Sequence, residues 1–302
     1  MRSVLIFLTL FWLLAFPFSL LRAEEAEELI FFDDLSDQIV SEVNAFRAAP
    51  LTRAEELGLC LDELKALWEE KELRRLEVGL TPLAHKEVLD AAAHKYLEAM
   101  VQEVSSVPSI SLEELAASLG YKPLLLGRSF AVLLFEHFLP PEEAYELLLR
   151  RLFKEALKRE GQEGAALLFP PYQDIGLSFC GGRLSLEGQA YNFYALFLVP
   201  ALPEDTPRSL LVGRVYQAEG QPALARVFLL RGFFLAGRTR TYPDGSFFFE
   251  LSCLSPGEEL TLATRPLTED QPLVEKAFSC APPQRIDLRF EAIANSLSSQ
   301  VP

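Results

Sequence analysis

The 302-residue chain sets 43 acidic residues against 28 basic ones, a formal net charge of −15, and half of its residues are hydrophobic. So acidic a surface repels phosphate backbones and anionic headgroups, which argues against nucleic-acid binding, while the hydrophobic share is ample for a packed core. Its four cysteines, Cys60, Cys180, Cys253 and Cys280, include no C-x-x-C pair, which argues against a zinc knuckle or a thioredoxin-type redox centre.

Met1-Arg2 begins the chain, and Val4 to Leu14 is almost wholly apolar. Pro17, Ser19 and Ala23 then lead into an acidic stretch. A basic start, a short apolar core and a small residue at the exit predict a secretory signal over residues 1–23. The same run read as a retained anchor is the alternative. Those residues hold two arginines and no acid, so the exported part carries −17. The expected location is secreted, periplasmic or otherwise in the cell envelope, with no stable membrane span after cleavage.

The first half reads as helical. Leu35, Ile39, Val40, Val43 and Phe46 fall at helical spacing behind Asp33-Asp34, and Pro50 stops that helix. Residues 51–78 form a charged insertion with helical stretches around Ala54–Leu57 and Leu61–Leu76. Gly79 to Leu83 makes a turn into a helix whose apolar stripe is Val88, Leu89, Ala92, Ala93, Tyr96 and Met100. Ser111-Leu112-Glu113-Glu114 is a capping box, and Gly120 ends the helix behind it. Leu124 to Leu139 is apolar apart from Arg128, Glu136 and His137. Pro140-Pro141-Glu142-Glu143 opens a further helix through Ala156, with proline and acids in its first turn.

Beyond this helix the period changes. Asp174–Phe179 and Ala190–Val199 read as strands around Gly181-Gly182, and Pro200, Pro203 and Pro207 mark a linker. Strands follow at Leu210–Tyr216, Ala225–Leu230, Leu235–Tyr242, Ser246–Leu251, Glu259–Thr264 and Ile286–Phe290. Turn signals at Glu219-Gly220, Pro243-Asp244-Gly245 and Ser255-Pro256-Gly257 separate several of them. Short strands recurring with such turns predict a β-sandwich.

Landmarks in residues 35–200 resemble the bacterial branch of the CAP superfamily, the cysteine-rich secretory protein-like domains. Asn44-Ala45-Phe46-Arg47 supplies its N-x-x-R core. Gly79-Leu80-Thr81-Pro82-Leu83 matches a G-L-x-P-L turn, and Ala91-Ala92-Ala93 with Met100 matches the helix after it. Gly120-Tyr121, Pro141-Glu142-Glu143-Ala144 and Pro170-Pro171-Tyr172 through Ile175-Gly176 follow in the family's order. The C-terminal strands resemble the carboxypeptidase regulatory-like sandwich, through Gly213-Arg214-Val215 and Thr241-Tyr242-Pro243-Asp244-Gly245-Ser246-Phe247-Phe248-Phe249.

These resemblances imply an α+β protein: a CAP-like α-β-α sandwich over 24–202, a linker at 203–207 and an immunoglobulin-like sandwich over 208–292. A disordered tail at 293–302 is expected. The family's polar cleft uses two histidines and one or two glutamates. Here Val101 to Ser106 offers no histidine, Gly127-Arg128-Ser129 puts arginine where a carboxylate is expected, and Arg151–Arg159 supplies Lys154, Glu155 and Lys158. No metal or cofactor is therefore expected.

The histidines are His85, His94 and His137. His85 and His94 are nine residues apart, on opposite bearings if helical, so they do not share a metal. His94 and Glu98 stand at the spacing of a surface helix pair. Glu136 and His137, inside an apolar segment, are the candidate acid/base pair, weighed against simple alternation toward solvent. Asp244-Gly245 is read as a turn. The four cysteines allow three pairings, and pairing within domains gives Cys60–Cys180 and Cys253–Cys280.

The expected function is non-enzymatic binding of an envelope protein or a hydrophobic ligand. The alternatives are a hydrolase-like enzyme using Glu136 and His137, and a lipid carrier built around Leu124–Leu139.

Overall fold

The computed structural model describes residues 29–102, 111–159, 164–186, 189–255, 257–267 and 273–291. The expected signal at 1–23, part of the stretch after Met100, Pro256 and the expected tail at 293–302 lie outside the described residues.

In chain order the chain runs β1 (Ile30–Phe31), α1 (Ser36–Ala48), α2 (Pro50–Glu56), α3 (Leu61–Leu67), α4 (Glu70–Val78), β2 (Ala84–His85) and α5 (Glu87–Gln102). It continues through α6 (Leu112–Ser118), β3 (Pro123–Leu126), β4 (Ser129–Phe135), α7 (Pro141–Lys158), β5 (Asp174–Leu186) and β6 (Gln189–Pro203). The C-terminal part holds strands only among its described residues. They are β7 (Leu210–Tyr216), β8 (Ala225–Arg231), β9 (Phe234–Arg240), β10 (Ser246–Glu250), β11 (Glu259–Pro266), β12 (Val274–Ser279), β13 (Gln284–Arg285) and β14 (Leu288–Arg289). The protein is thus mixed α+β with a β-rich C-terminal part.

β5 and β6 form a long antiparallel pair, flanked by β1 and β2 on β5 and by β3 and β4 on β6. Alternation along this pair sends its two faces into different cores. Ile175, Leu177, Phe179, Tyr194, Leu196 and Leu198 join the apolar faces of α1 and α7. Phe193, Ala195, Phe197, Val199 and Ala201 meet α5 and α6. Helices therefore cover both faces of the sheet. Gly176 makes this possible, because a Cβ there would stand 2.3 Å from the backbone of Leu89 in α5.

The apolar segment 124–139 supplies most of β3 and all of β4, two successive strands that each pair with β6. Its residues divide between the two cores, Leu125 and Ala131 on one side, Leu126 and Phe130 on the other. A strand buried on both faces has no period for sequence to display. The helical stretch at 61–76 breaks at Trp68, whose extended backbone separates α3 from α4. β12 lies where no strand is expected from the sequence.

Asn44 and Arg47 of the N-x-x-R motif fix the turn that follows α4. Asn44 Nδ2 donates to the Leu83 carbonyl at 3.0 Å, and its Oδ1 accepts the Leu83 N–H at 2.7 Å. Arg47 is fully buried; its Nε donates to the Thr81 carbonyl at 3.0 Å and its Nη1 to the Leu167 carbonyl at 2.6 Å. Gly79 opens this turn at φ +89°, with no room for a Cβ against the Ala48 carbonyl. One motif thus ties α1 to both the 79–83 turn and the loop before β5.

The C-terminal strands form two four-stranded sheets, β10-β7-β13 with β14, and β12-β11-β8-β9. Leu211, Val215, Phe247 and Phe249 face Val227, Leu229, Leu260 and Leu262 across a core of their own. The opposite faces of β7 and β10 send Leu210, Val212 and Phe248 into the first core, together with Tyr242. The hydrophobic interior is therefore continuous across the seam between the two parts. Thr206, within the expected linker, is buried and accepts a hydrogen bond from Gln173 Nε2 at 2.7 Å.

Cys253 and Cys280 are bonded, which holds the loop after β10 to the end of β12. Cys60 and Cys180 are free thiols, contrary to the within-domain pairing. Topology separates them: Cys60 is exposed at the start of α3, whereas Cys180 points from β5 into the core under α5. Burial pushes the Cys180 thiol up to about 12.

Candidate binding groove

Phe169 ends the short 3-10 turn before β5 and anchors the seam. Its ring meets Tyr242 edge-on at 5.1 Å and Phe248 at 5.5 Å. On the α7 side, Arg159 adopts a left-handed backbone (φ 55°) and reaches across the seam. Its guanidinium donates to Glu72 Oε2 at 2.9 Å and to the Thr241 carbonyl at 2.8 Å. It also stacks over Trp68 at 4.6 Å and Tyr242 at 5.1 Å.

Beside this clasp the seam opens into two adjoining hollows of about 490 and 380 Å³, which share Arg75, Pro170 and Arg208. Buried Leu210, Phe248 and Leu251 give the larger one an apolar floor. The smaller is lined by Val78, Leu80 and Thr81 from the end of α4 and the turn that Arg47 fixes. Arg75 lies over the Phe248 ring at 4.7 Å and stands 3.6 Å from Glu250. Arg74 is paired with Glu70 on α4. Arg208 has no ion-pair partner among the described residues.

Arg74, Arg75 and Arg208 against Glu70 and Glu250 leave one arginine in excess, so this groove is locally cationic on an acidic protein. Buried Arg47 lies behind Thr81 and adds to that field; desolvation lowers its guanidinium to about 10, still charged at neutral pH. The chemistry suits an extended segment that combines carboxylates with an apolar side chain. Guanidinium groups take carboxylates in a two-pronged fashion, and Phe248 with the prolines offers the apolar contact.

Glu136 and His137, the candidate acid/base pair of the alternative reading, form an exposed bend between β4 and α7. They line neither hollow. The chain leaves the sheet at Phe135, so nothing remains to cover them. His85 lies elsewhere, its Nδ1 3.1 Å from Asp37 and its Nε2 2.8 Å from Asp90. Asp90 Oδ1 in turn accepts the Leu177 N–H at 2.7 Å, so this imidazole ties α1, α5 and β5 together. His94 stacks on Phe31 with ring centres 3.6 Å apart. Arg128 is exposed on the β3–β4 turn, and Glu155 pairs with Arg151 on α7 at 3.0 Å. Among the described residues, no three His, Cys, Asp or Glu side chains converge as a metal-ligand set.

Sequence reading missed the groove because its residues come from α4, the 170–171 loop and the β7–β10 pair. Arg74-Arg75 and Arg208, cations in an acid-rich chain, were the available signal. Comparison with known protein families and with curated proteins finds no match.

Proposed function

We propose that the protein is an exported, non-enzymatic binding protein of the cell envelope or extracellular space. The three-layer part acts as a CAP-like platform, and the C-terminal part is a carboxypeptidase regulatory-like sandwich that completes one wall of the binding groove. The ligand is an extended acidic segment of an envelope protein, with an apolar residue in the larger hollow beside Pro170 and Pro171. The observation that carries this reading is that Arg75 and Arg208 both line a hollow whose apolar floor is Leu210, Phe248 and Leu251. Opposite charge at such a rim sets orientation and partner choice, while the apolar contact supplies the central anchor.

Peptide display against the folded chain is the test. Selected sequences are expected to combine Asp or Glu with an aromatic or aliphatic residue. Arg75→Glu with Arg208→Glu is expected to weaken the selected peptides by at least about tenfold, or about 1.4 kcal/mol. Selection of basic peptides, or unchanged binding by the charge-reversed protein, refutes this assignment.

A further inference from the structure

The β8–β9 hairpin is the reverse of the rest of the molecule in both charge and polarity. Residues 220–243 contain four arginines (Arg226, Arg231, Arg238 and Arg240) and no acid, in a chain of net charge −15. Its tip stands free of the sandwich: Phe233 is 103% exposed, Phe234 80% and Leu235 57%. Leu254, 75% exposed, belongs to the neighbouring loop, which Arg231 holds through Glu258 at 2.7 Å and the Ser252 carbonyl at 2.9 Å. On the strands behind the tip, Arg226 is directly opposite Arg240, and Phe228 opposite Arg238. Like charges facing each other across a ladder destabilise it unless a counter-charge arrives. Among the described residues none of Arg226, Arg238 and Arg240 has an ion-pair partner.

We propose that this hairpin docks the protein on a bilayer containing anionic lipid, with Phe233 and Phe234 immersed and the arginines at the headgroups. A flat protein partner would touch only the end of so prominent a tip. A fluid medium surrounds both rings on every side. At about 3.3 Å per residue, Arg238 stands about 13 Å from Phe234. It therefore reaches headgroup depth when the rings enter by the roughly 5–10 Å usual for interfacial anchors. The protein's overall negative charge does not oppose this, because charges more than about 8–10 Å from the surface are screened at physiological salt.

The test is cosedimentation of the exported chain with vesicles of phosphatidylcholine alone and of phosphatidylcholine mixed with phosphatidylglycerol. The wild type is expected to partition at least about tenfold more strongly into the anionic vesicles, less so as salt rises. Phe233→Ser with Phe234→Ser is expected to lose at least about tenfold, with its unfolding midpoint unchanged, since both rings lie outside all three cores. Arg226→Glu with Arg238→Glu is expected to abolish the preference for anionic lipid. All variants share the same sequence outside the hairpin, so the differences report on the hairpin. Equal partitioning of wild type and the serine variant overturns the proposal, as does indifference to lipid charge. A dimer that the serine variant breaks, without vesicle binding, overturns it in favour of a second copy of the chain.

Discussion

Replacing Arg159 by methionine tests the clasp that joins the two parts. The side chains of Arg159 and Glu72 are 8% and 7% exposed, so their charges are buried together. Methionine keeps much of the contact with Trp68 and Tyr242 but removes the donors to Glu72 and to the Thr241 carbonyl. Glu72 is then left with the Glu69 N–H at 3.1 Å on Oε2, while its Oε1 already lacks a partner. Removing one member of a buried pair costs about 3–5 kcal/mol, because the other charge stays uncompensated. Adding Glu72→Met removes that charge, and the double variant is expected to recover about 2–3 kcal/mol of the loss. Urea unfolding followed by tryptophan fluorescence measures this well, because Trp68 is the sole tryptophan beyond residue 23 and lies against Arg159. A single variant within about 1 kcal/mol of wild type, or a double variant no better than the single, would falsify the clasp as a buried ion pair.

Four further outcomes are expected. At pH 8, Cys60 reacts with a thiol reagent while Cys180 stays protected until unfolding; two thiols modified at the same rate in the native protein contradict the burial of Cys180. Because the folded Cys180 keeps its proton to about 12, stability falls as pH rises from about 8.5 toward that value, and Cys180→Ala flattens the dependence. Replacing Cys253 and Cys280 by serine lowers stability by about 3.5 kcal/mol, from the 27-residue separation and the chain-entropy relation; calorimetry of both forms checks it. Asn44→Ala removes two bonds to Leu83 and costs about 2–3 kcal/mol in urea unfolding, and a change below about 1 kcal/mol contradicts its role in fixing the turn.

Where sequence reading succeeded, each element carried its own local signal. The Ser111 capping box is present, with the Ser111 hydroxyl accepting the Glu114 N–H at 3.1 Å. The Asp244-Gly245 turn forms as read, with Asp244 Oδ1 accepting the Ser246 N–H and hydroxyl and Gly245 at φ +77°. Failures came where meaning depends on distant chain. β3 and β4 are apolar on both faces, so nothing in them announces a strand. For Glu136 and His137, the sequence left open an acid/base pair or exposure to solvent, and the bend carries both to the surface. Glu72 and Arg159 are 87 residues apart, and neither shows its partner in its own neighbourhood.

The shared interior at the seam bears on how the chain comes into being. Residues 29–203 contain nearly all of the three-layer part, but Tyr242 and Phe248, which close its core over Phe169, arrive about forty residues later. Until they do, the earlier part has an uncovered aromatic flank. A chain cut short after Pro203 keeps that flank permanently, and is expected to clump where the full-length chain stays dispersed. Synthesis runs from the first part toward the second, and maturation runs back the other way, since the strands made last put the final wall on the half made first.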